Sequence, residues 1–214
     1  MTPAEQSARA LDICRLAPVV PVLILEDLAH AAPLARALVK GGLPALEVTL
    51  RTPVALDAIR AMAEVPGGVV GAGTLLKPAD VKAAKAAGAT FGVSPGATEA
   101  LIDACCEHDL PLLAGTATAT EVMALLEKGY TTAKFFPAET SGGAPALKAF
   151  ASPLPQMRFC PTGGISMRNV ADYLALPNVV CVGGSWVAPK DLMAAGEWDR
   201  ITTLAAEAAR LKRG

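Results

Sequence analysis

ALEVTLRTPVALDAIRAMAEVPGGVVGAG, residues 45–73, is the stretch that decides the fold. It opens with a short apolar run at 45–49, continues with a helical pattern at 54–64, and returns to a second apolar run at 69–73 after a glycine pair. Short apolar runs bounded by turn residues favour buried strands, and the longer stretch between them favours a helix. A strand, a helix and a strand in this order indicate two parallel strands joined by a helical crossover.

The same alternation repeats along the whole chain. Eight strands are predicted, at Val19–Leu25, Ala45–Thr49, Val69–Gly73, Phe91–Val93, Leu112–Gly115, Ala133–Phe136, Arg158–Pro161 and Val179–Gly183. Eight helices alternate with them, at His30–Lys40, Val54–Glu64, Ala79–Ala87, Thr98–His108, Thr120–Lys128, Pro145–Phe150, Met167–Leu174 and Trp198–Leu211. An extra helix precedes the first strand, where Thr2, Pro3 and Glu5 form a capping-box pattern.

Eight strand–helix units predict an α/β fold, a (β/α)8 TIM barrel with an extra N-terminal helix. No linker or low-complexity stretch interrupts the pattern, so residues 1–214 are expected to form a single domain. An open doubly wound sheet is the structural alternative. Such sheets usually have fewer strands, and no GxGxxG motif follows the first predicted strand.

The composition limits the classes of function. Hydrophobic residues make up 52% of the chain and charged residues 18%, which excludes a disordered protein and fits strands that are buried on both faces. The net charge is -1 without a block of like charge, which argues against nucleic-acid binding and against a polybasic membrane anchor. The longest apolar run, Leu16–Leu25, is too short to span a bilayer.

Histidine and cysteine usage narrows the chemistry further. The two histidines, His30 and His108, both fall in helical patterns, which leaves little for a catalytic triad or a multi-histidine metal site. The five cysteines contain no CxxC spacing, so neither a disulfide framework nor a zinc motif is expected. Reduced thiols and the lack of a signal-peptide pattern favour a cytoplasmic location.

Among the nine lysines and twenty acidic residues, two stand inside predicted strands that should carry no charge. They are Glu47 in the second strand and Lys134 in the sixth. A buried charge is costly, so a strand that keeps one usually provides it with a partner or a function. Because side chains alternate along a strand, Glu47 shares a face with Arg51, and Lys134 shares a face with Phe136. Alternate strands of a barrel fill the same interior layers, so the two charges are expected to face each other.

A lysine beside a glutamate in a desolvated cavity is typical of Schiff-base chemistry. Phe135 and Phe136 follow Lys134 and are expected to desolvate it, and desolvation favours the neutral form of an amine. A neutral amine attacks a ketone to give an iminium, which accepts electrons from a breaking carbon–carbon bond, and a nearby carboxylate moves the protons. A buried Lys134–Glu47 ion pair without catalytic function is the alternative.

Glycine pairs end the last two predicted strands. Pro161-Thr162-Gly163-Gly164-Ile165-Ser166 follows the seventh strand, and Gly183-Gly184-Ser185-Trp186 follows the eighth. In many barrels the loops after strands 7 and 8 bind phosphate through backbone N–H groups and a helix N-terminus. The sequence therefore predicts a phosphate site here, with ordinary turn formation as the alternative.

Six motifs in order along the chain resemble those of the bacterial 2-dehydro-3-deoxy-6-phosphogluconate (KDPG) aldolases. They are Glu47-Val48-Thr49-Leu50-Arg51-Thr52, Gly71-Ala72-Gly73-Thr74, Ser94-Pro95-Gly96, Lys134-Phe135-Phe136-Pro137-Ala138-Glu139, Cys160-Pro161-Thr162-Gly163-Gly164-Ile165 and Gly183-Gly184-Ser185-Trp186. The resemblance implies a metal-independent class I aldolase without a cofactor. Its expected reaction cleaves 2-dehydro-3-deoxy-6-phosphogluconate to pyruvate and D-glyceraldehyde 3-phosphate, and its expected assembly is a homotrimer.

The resemblance also implies a role for each matched residue. Lys134 matches the Schiff-base lysine and Glu47 the general acid and base. Arg51 and Thr74 match residues that hold the pyruvate carboxylate, and Pro95 and Phe136 match residues that shape its pocket. The remaining matches are expected to hold the hydroxylated tail and the phosphate of the substrate, and they are Thr162, Gly163, Gly164, Gly184 and Ser185.

One departure and four alternatives remain. Ala114 stands where the family often has proline. The same lysine could serve a 4-hydroxy-2-oxoglutarate aldolase or a 2-dehydro-3-deoxy-6-phosphogalactonate aldolase, although the hydroxyl of Thr162 favours the gluconate epimer. A metal-dependent lyase would need histidines or several carboxylates at the mouth. A phosphate-binding barrel without catalysis would leave Lys134 and Glu47 without a function.

Overall fold

The computed structural model describes residues 1–214, and its strands alternate with helices along the chain. The strands are β1 (Val19–Leu23), β2 (Ala45–Thr49), β3 (Val69–Gly73), β4 (Phe91–Val93), β5 (Leu112–Leu113), β6 (Gly115–Thr116), β7 (Thr132–Phe135), β8 (Arg158–Pro161) and β9 (Val182–Gly184). The helices are α1 (Pro3–Arg15), α2 (Ala31–Lys40), α3 (Ala55–Ala63), α4 (Pro78–Ala86), α5 (Glu99–Glu107), α6 (Ala119–Glu127), α7 (Gly143–Phe150), α8 (Val170–Leu174), α9 (Lys190–Ala194) and α10 (Trp198–Ala209). Two short 3-10 helices cover Leu28–His30 and Glu139–Ser141.

Every strand pair is parallel, which confirms the predicted α/β class. One sheet has six strands in the order β5-β4-β3-β2-β1-β9, and the other has three in the order β6-β7-β8. Ala114 alone separates β5 from β6, and its carbonyl accepts a hydrogen bond of 2.8 Å from the Lys134 amide. On the other side, isolated parallel bridges join Phe159 to Val179 and Thr162 to Gly183.

The two faces of the strands pack in different ways. A core of 54 buried residues, running from Ala17 to Ala208, packs the outer strand face against the helices. A smaller cluster of eight buried residues includes Ala45 and Cys160. Ala45 shares its strand face with Glu47, and Cys160 is the register partner of Lys134. The inner face of the strands thus carries apolar residues next to the two charged ones.

The N-terminal helix begins as its capping pattern predicts. The Thr2 hydroxyl accepts a hydrogen bond from the Glu5 amide, and the Glu5 carboxylate accepts one from the Thr2 amide. The helix is joined to the start of β7 by Ser7, whose hydroxyl oxygen accepts hydrogen bonds from the amides of Thr131 at 2.9 Å and Thr132 at 3.0 Å. The extra helix is therefore attached to the strand that carries Lys134.

Four predicted strands have different bounds in the structure. The first ends at Leu23 instead of Leu25, and the sixth is shifted by one residue to Thr132–Phe135. The other two differ more. The predicted strand Leu112–Gly115 divides at Ala114, because the chain changes partner there: Leu113 pairs with β4, and Gly115 pairs with β7. The predicted strand Val179–Gly183 becomes β9, Val182–Gly184, because Val179 pairs only through its isolated bridge. Turn chemistry and partner exchange are tertiary effects that local hydrophobicity does not reveal.

The helix predictions differ mainly at their ends. The predicted helix Met167–Leu174 begins at Val170, because the Asn169 side chain accepts a hydrogen bond from the Ser166 amide and forms a turn first. The short helix α9 was missed, since its five residues give too little periodicity. No helix combines the length and the apolar character that crossing a membrane requires.

Candidate active site

Lys134 of β7 and Glu47 of β2 meet on the inner face of the strands. The Lys134 Nζ atom lies 3.3 Å from Glu47 Oε1, and it donates a hydrogen bond to that oxygen. Both residues are buried, with 5% of Lys134 and 3% of Glu47 exposed. The structure therefore brings together the two charged strand residues that the sequence singled out, although the strands belong to different sheets.

The environment of Glu47 suits a carboxylate that exchanges protons. Burial raises the pKa of Glu47, and the positive charge of Lys134 opposes that rise. Gly73 makes room for the carboxylate, because a Cβ atom at position 73 would clash with the Glu47 side chain. The neighbouring strand β3 thus provides a space that only glycine leaves open.

The two phenylalanines after Lys134 differ in position. Phe136 lies beside the amine, with its ring centroid 5.1 Å from Nζ. Phe135 points to the opposite strand face, where it packs edge-on against Phe150 and Phe159. The expectation that both rings desolvate the lysine is therefore wrong for Phe135, because adjacent residues of a strand point to opposite faces.

A cavity of about 160 Å³ opens beside Phe136, whose ring lies next to the Lys134 amine. Seven predicted site residues line it, namely Arg51, Phe136, Thr162, Gly163, Gly164, Gly184 and Ser185. Four further lining residues were not predicted, namely Val22, Ile24, Ile165 and Gly183. Apolar residues at strand ends resemble ordinary core residues in a sequence, so no signal marked the first three as site residues.

Two glycine loops line this cavity, Gly163-Gly164 after β8 and Gly183-Gly184-Ser185 at the end of β9, and they leave backbone donors free. The amides of Gly163, Gly164, Ile165 and Ser185 donate no hydrogen bond to any backbone carbonyl. Gly163 and Gly164 have φ values of 104° and 78°, which side-chain-bearing residues rarely adopt. A turn of this kind directs consecutive N–H groups outward, and such groups bind anions.

Thr162 fits this end of the cavity because of a glycine on the next strand. A Cβ atom at Gly183 would clash with the Thr162 hydroxyl. The Thr162 amide donates a hydrogen bond of 2.9 Å to the carbonyl of Phe135, so the hydroxyl-bearing residue is fixed to β7. The cavity therefore places one hydroxyl between the Lys134 strand and the two glycine loops.

Arg51, which lines the cavity, is in contact with Thr74. The Arg51 Nε atom donates a hydrogen bond of 3.3 Å to the Thr74 hydroxyl. Thr74 has a φ of 64°, which is strained for a β-branched residue and is found mainly at functional sites. The strained backbone turns the hydroxyl towards the guanidinium that lines the cavity.

Four predicted site residues do not line this cavity themselves, namely Glu47, Thr74, Pro95 and Lys134. Lys134 and Thr74 contact the lining residues Phe136 and Arg51, and Glu47 contacts Lys134. The fourth, Pro95, lies on the loop after β4. Its backbone carbonyl packs instead against Gly115, where a Cβ atom would clash. In this geometry Pro95 supports the loop after β4 next to the β6 strand.

The remaining titratable candidates lie outside the cavity. Cys14, Cys160 and Cys181 are the one group of three metal-ligating side chains, with sulfur atoms within 4.8 Å of one another. All three pack into the apolar inner cluster, where buried thiols behave as small hydrophobic side chains. His30 packs edge-on against a tryptophan ring, and His108 caps α5.

Comparison with known proteins agrees with the motifs. The family model described as "KDPG and KHG aldolase" matches residues 11–204. The chain is 54% identical over 200 residues to a KHG/KDPG aldolase of Escherichia coli, covering 93% of this chain and 94% of that protein.

Solved structures give the same result. The KDPG aldolase of Zymomonas mobilis with 3-phosphoglycerate is 52% identical, with a TM-score of 0.90 over 96% of this chain and 98% of that one. The KDPG aldolase of Legionella pneumophila, solved with pyruvate as a covalent carbinolamine, is 44% identical, with a TM-score of 0.90 over 93% and 97%. The chain belongs to the KDPG and KHG aldolase family.

Proposed function

We propose that this protein is a Schiff-base aldolase that cleaves 2-dehydro-3-deoxy-6-phosphogluconate to pyruvate and D-glyceraldehyde 3-phosphate. The observation that carries the proposal is the buried Lys134–Glu47 pair, 3.3 Å apart, near a cavity lined by Arg51 and by residues with free backbone amides. The keto acid carries a carboxylate and a phosphate, and the arginine and the amides offer a binding partner for each.

Lys134 begins the reaction by attacking the C2 ketone. The amine must first lose a proton, and the Glu47 carboxylate is close enough to accept it directly. The new C–N bond gives a carbinolamine, which loses water to form an iminium when Glu47 returns a proton to the departing hydroxyl. The captured carbinolamine of the Legionella relative supports the same step here.

The iminium then takes the electrons of the C3–C4 bond. A base removes the proton of the C4 hydroxyl, the C3–C4 bond breaks, and glyceraldehyde 3-phosphate leaves with a new C4 carbonyl. The electron pair forms an enamine on Lys134, which is protonated at C3. Water then attacks the iminium and releases pyruvate and the free amine. Glu47 is the one carboxylate in contact with Lys134, and we assign it the proton transfers.

The carboxylate of the substrate is assigned to Arg51 and Thr74. A guanidinium binds a carboxylate through two parallel N–H groups, and the Thr74 hydroxyl holds Arg51 in place. Phe136 covers the side of the reacting carbon. Pro95 contributes through the position of its loop.

The phosphate is assigned to the two glycine loops. The free amides of Gly163, Gly164 and Ser185 supply hydrogen-bond donors, and the Ser185 side chain adds a hydroxyl. Gly184 lines the cavity, and a Cβ atom there would clash with the Trp186 ring. The Thr162 hydroxyl lies between the lysine and the loops, where a substrate hydroxyl passes. This contact favours the gluconate epimer over the galactonate epimer.

We further propose that residues 1–214 form one closed eight-stranded (β/α)8 barrel. The continuous run of β5 and β6 joins one side of the two sheets, and the bridge between Thr162 and Gly183 supports closure on the other. A barrel places the carboxyl ends of all strands at one mouth, which is where the assigned residues lie.

The assembly and compartment are proposed from the family resemblance. We expect a homotrimer, which sedimentation velocity or light scattering would detect as three times the chain mass. Exposed apolar side chains, such as Leu76 at 61% and Met123 at 53%, provide surface that an assembly covers. The five free cysteines fit a reducing cytoplasm.

Trapping the Schiff base tests the proposal. Incubation with pyruvate and borohydride should give a stable adduct, which peptide mass spectrometry should locate on Lys134. Lys134→Ala should lose the adduct and the activity together. Labelling at another lysine, or no labelling with a folded protein, would contradict the proposed mechanism. Activity that disappears with EDTA would instead favour a metal-dependent lyase.

A kinetic comparison then distinguishes the related substrates. Pyruvate release, measured with lactate dehydrogenase, should be fastest with 2-dehydro-3-deoxy-6-phosphogluconate. The phosphogalactonate epimer and 4-hydroxy-2-oxoglutarate use the same lysine and should give lower kcat/KM values. Higher values with either would reassign the substrate and keep the mechanism. Binding of phosphosugars without any turnover would favour a phosphate-binding barrel.

A further inference from the structure

A tyrosine and a glutamate that no predicted role includes join behind the first glycine loop. The Tyr173 hydroxyl of α8 donates a hydrogen bond to Glu139 Oε1. Tyr173 is buried, with 1% of its surface exposed, whereas Glu139 is exposed. The bond therefore connects a buried residue of α8 to the segment that follows β7, the strand that carries Lys134.

The Glu139 side chain lies against the turn that carries the free amides. A Cβ atom at Gly164 would come within 2.8 Å of Glu139 Cβ. The backbone is fixed at the same place, because the Glu139 amide donates a hydrogen bond of 3.1 Å to the carbonyl of Gly163. From the other side, the Asn169 amide group donates one of 3.1 Å to the carbonyl of Gly164. The turn is thus held between Glu139 and Asn169.

This placement brings a negative charge close to an anion site. Because the Glu139 Cβ and Cγ atoms lie beside Gly164, rotation of the side chain can bring its carboxylate to the unpaired N–H groups of the same turn, where it competes with a phosphate. It also repels the phosphate at short range. The hydrogen bond from Tyr173 occupies one carboxylate oxygen and fixes the side chain. Burial, followed by the Glu139 hydrogen bond, raises the pKa of Tyr173, so the phenol stays a donor at neutral pH.

We infer that Tyr173 is a positioning residue for the phosphate end of the cavity, because it holds the Glu139 carboxylate away from the free amides of Gly163 and Gly164. The inference rests on the proposed function for the identity of the anion. Glu139 supports the turn by packing, and Tyr173 prevents the same residue from blocking it. Neither residue touches the reacting carbon.

A double-mutant cycle tests the inference. Tyr173→Phe keeps the ring in its buried place and releases an exposed carboxylate, so the protein should remain folded. We expect the KM for the phosphorylated substrate and the Ki for inorganic phosphate to rise about tenfold, which corresponds to one lost charge-assisted hydrogen bond. The rate of pyruvate–borohydride trapping should stay unchanged, because trapping needs no phosphate.

Removal of the charge should reverse the effect. Glu139→Gln retains the packing against Gly164, and the double variant Tyr173→Phe, Glu139→Gln should return KM and Ki to within about twofold of Glu139→Gln alone. Additive effects of the two substitutions would overturn the inference, since Tyr173 would then act independently of the carboxylate. A KM unchanged in Tyr173→Phe would also overturn it.

The second tyrosine provides the control. The Tyr130 hydroxyl, also buried, donates a hydrogen bond of 2.6 Å to Gln6 Oε1, away from the cavity. Tyr130→Phe should lower the melting temperature and leave KM and Ki unchanged. Equal effects of both substitutions would show general loosening and would refute a specific role of Tyr173. If the wild-type protein does not turn over the substrate, the proposed function fails. The dissociation constant of inorganic phosphate, measured by calorimetry for the same variants, still tests the inference.

Discussion

At the scale of the residue, one buried ion pair determines the chemistry. Glu47 and Lys134 are nearly without solvent contact, and an isolated buried charge is costly. Their 3.3 Å separation offsets part of that cost and keeps the proton within reach of either group. Such a pair is a weak source of stability, which agrees with a catalytic use of both side chains.

The pKa of Glu47 predicts the acid side of the activity profile. Burial raises this pKa, and catalysis needs the ionised carboxylate as a base. The kcat/KM value should therefore fall as the pH drops through a midpoint above about 4.3, the usual pKa of glutamate. Glu47→Gln should lower kcat by roughly 10² to 10⁴ and remove this limb from the profile. An identical acid limb in Glu47→Gln would assign it to another group.

At the scale of the element, β3 controls the position of the catalytic carboxylate. Gly73 is the register partner of Thr49, two residues beyond Glu47, and a Cβ atom there would clash with the Glu47 side chain. Gly73→Ala should displace the carboxylate from Lys134 and lower kcat by about 10²-fold, the usual cost of misplacing a catalytic group by an ångström. Steady-state kinetics with the phosphorylated substrate would measure the loss.

Gly68, the residue just before β3, offers a matched control. A Cβ atom at Gly68 would meet the Val65 carbonyl at 3.3 Å and touches no site residue. Gly68→Ala should keep kcat near the wild-type value. Circular dichroism should show the same helix content in both variants. A loss of folded structure in Gly73→Ala would mean that strand packing, and not the carboxylate position, depends on this glycine.

At the scale of the whole molecule, the N-terminal helix supports the strand that bears the lysine. Ser7 is 1% exposed, and its hydroxyl is the acceptor for the Thr131 and Thr132 amides at the start of β7. Ser7→Ala leaves the amide of the buried Thr132 without a partner, at a cost of about 1–3 kcal/mol, whereas water can reach the amide of the exposed Thr131. The melting temperature should fall by about 2–4 °C per kcal/mol for a chain of this size.

A surface serine provides a control that separates the loss of the Ser7 hydrogen bonds from a general effect of replacing serine by alanine. Ser152 is exposed, so Ser152→Ala should leave the melting temperature unchanged. The Ser7→Ala variant should retain its kcat at 25 °C, because Lys134 keeps its neighbours on the inner face. A melting temperature equal to that of the wild type would show that water replaces the lost hydroxyl.

Charge patterning and strand periodicity explain how much of the site the sequence reveals. Strands buried on both faces exclude charge, so Lys134 and Glu47 were recognisable without a structure. The alternation of strands and helices likewise indicated the parallel α/β class. The motifs then assigned the family, which the relatives confirm over nearly the whole chain.

Contacts between distant segments were beyond the reach of the sequence. The division of the fifth predicted strand at Ala114 follows from a change of partner strand. Glu139 and Tyr173 lie 34 residues apart, and their bond depends on where α8 packs.

The sequence by itself therefore determined the fold class, the family and the two buried charges, because burial on both strand faces leaves a pattern in every segment. Only the tertiary structure decided which donors stay free at the cavity and which side chains hold the glycine turn. The physical reason is that such contacts depend on distances between segments, which local periodicity does not encode.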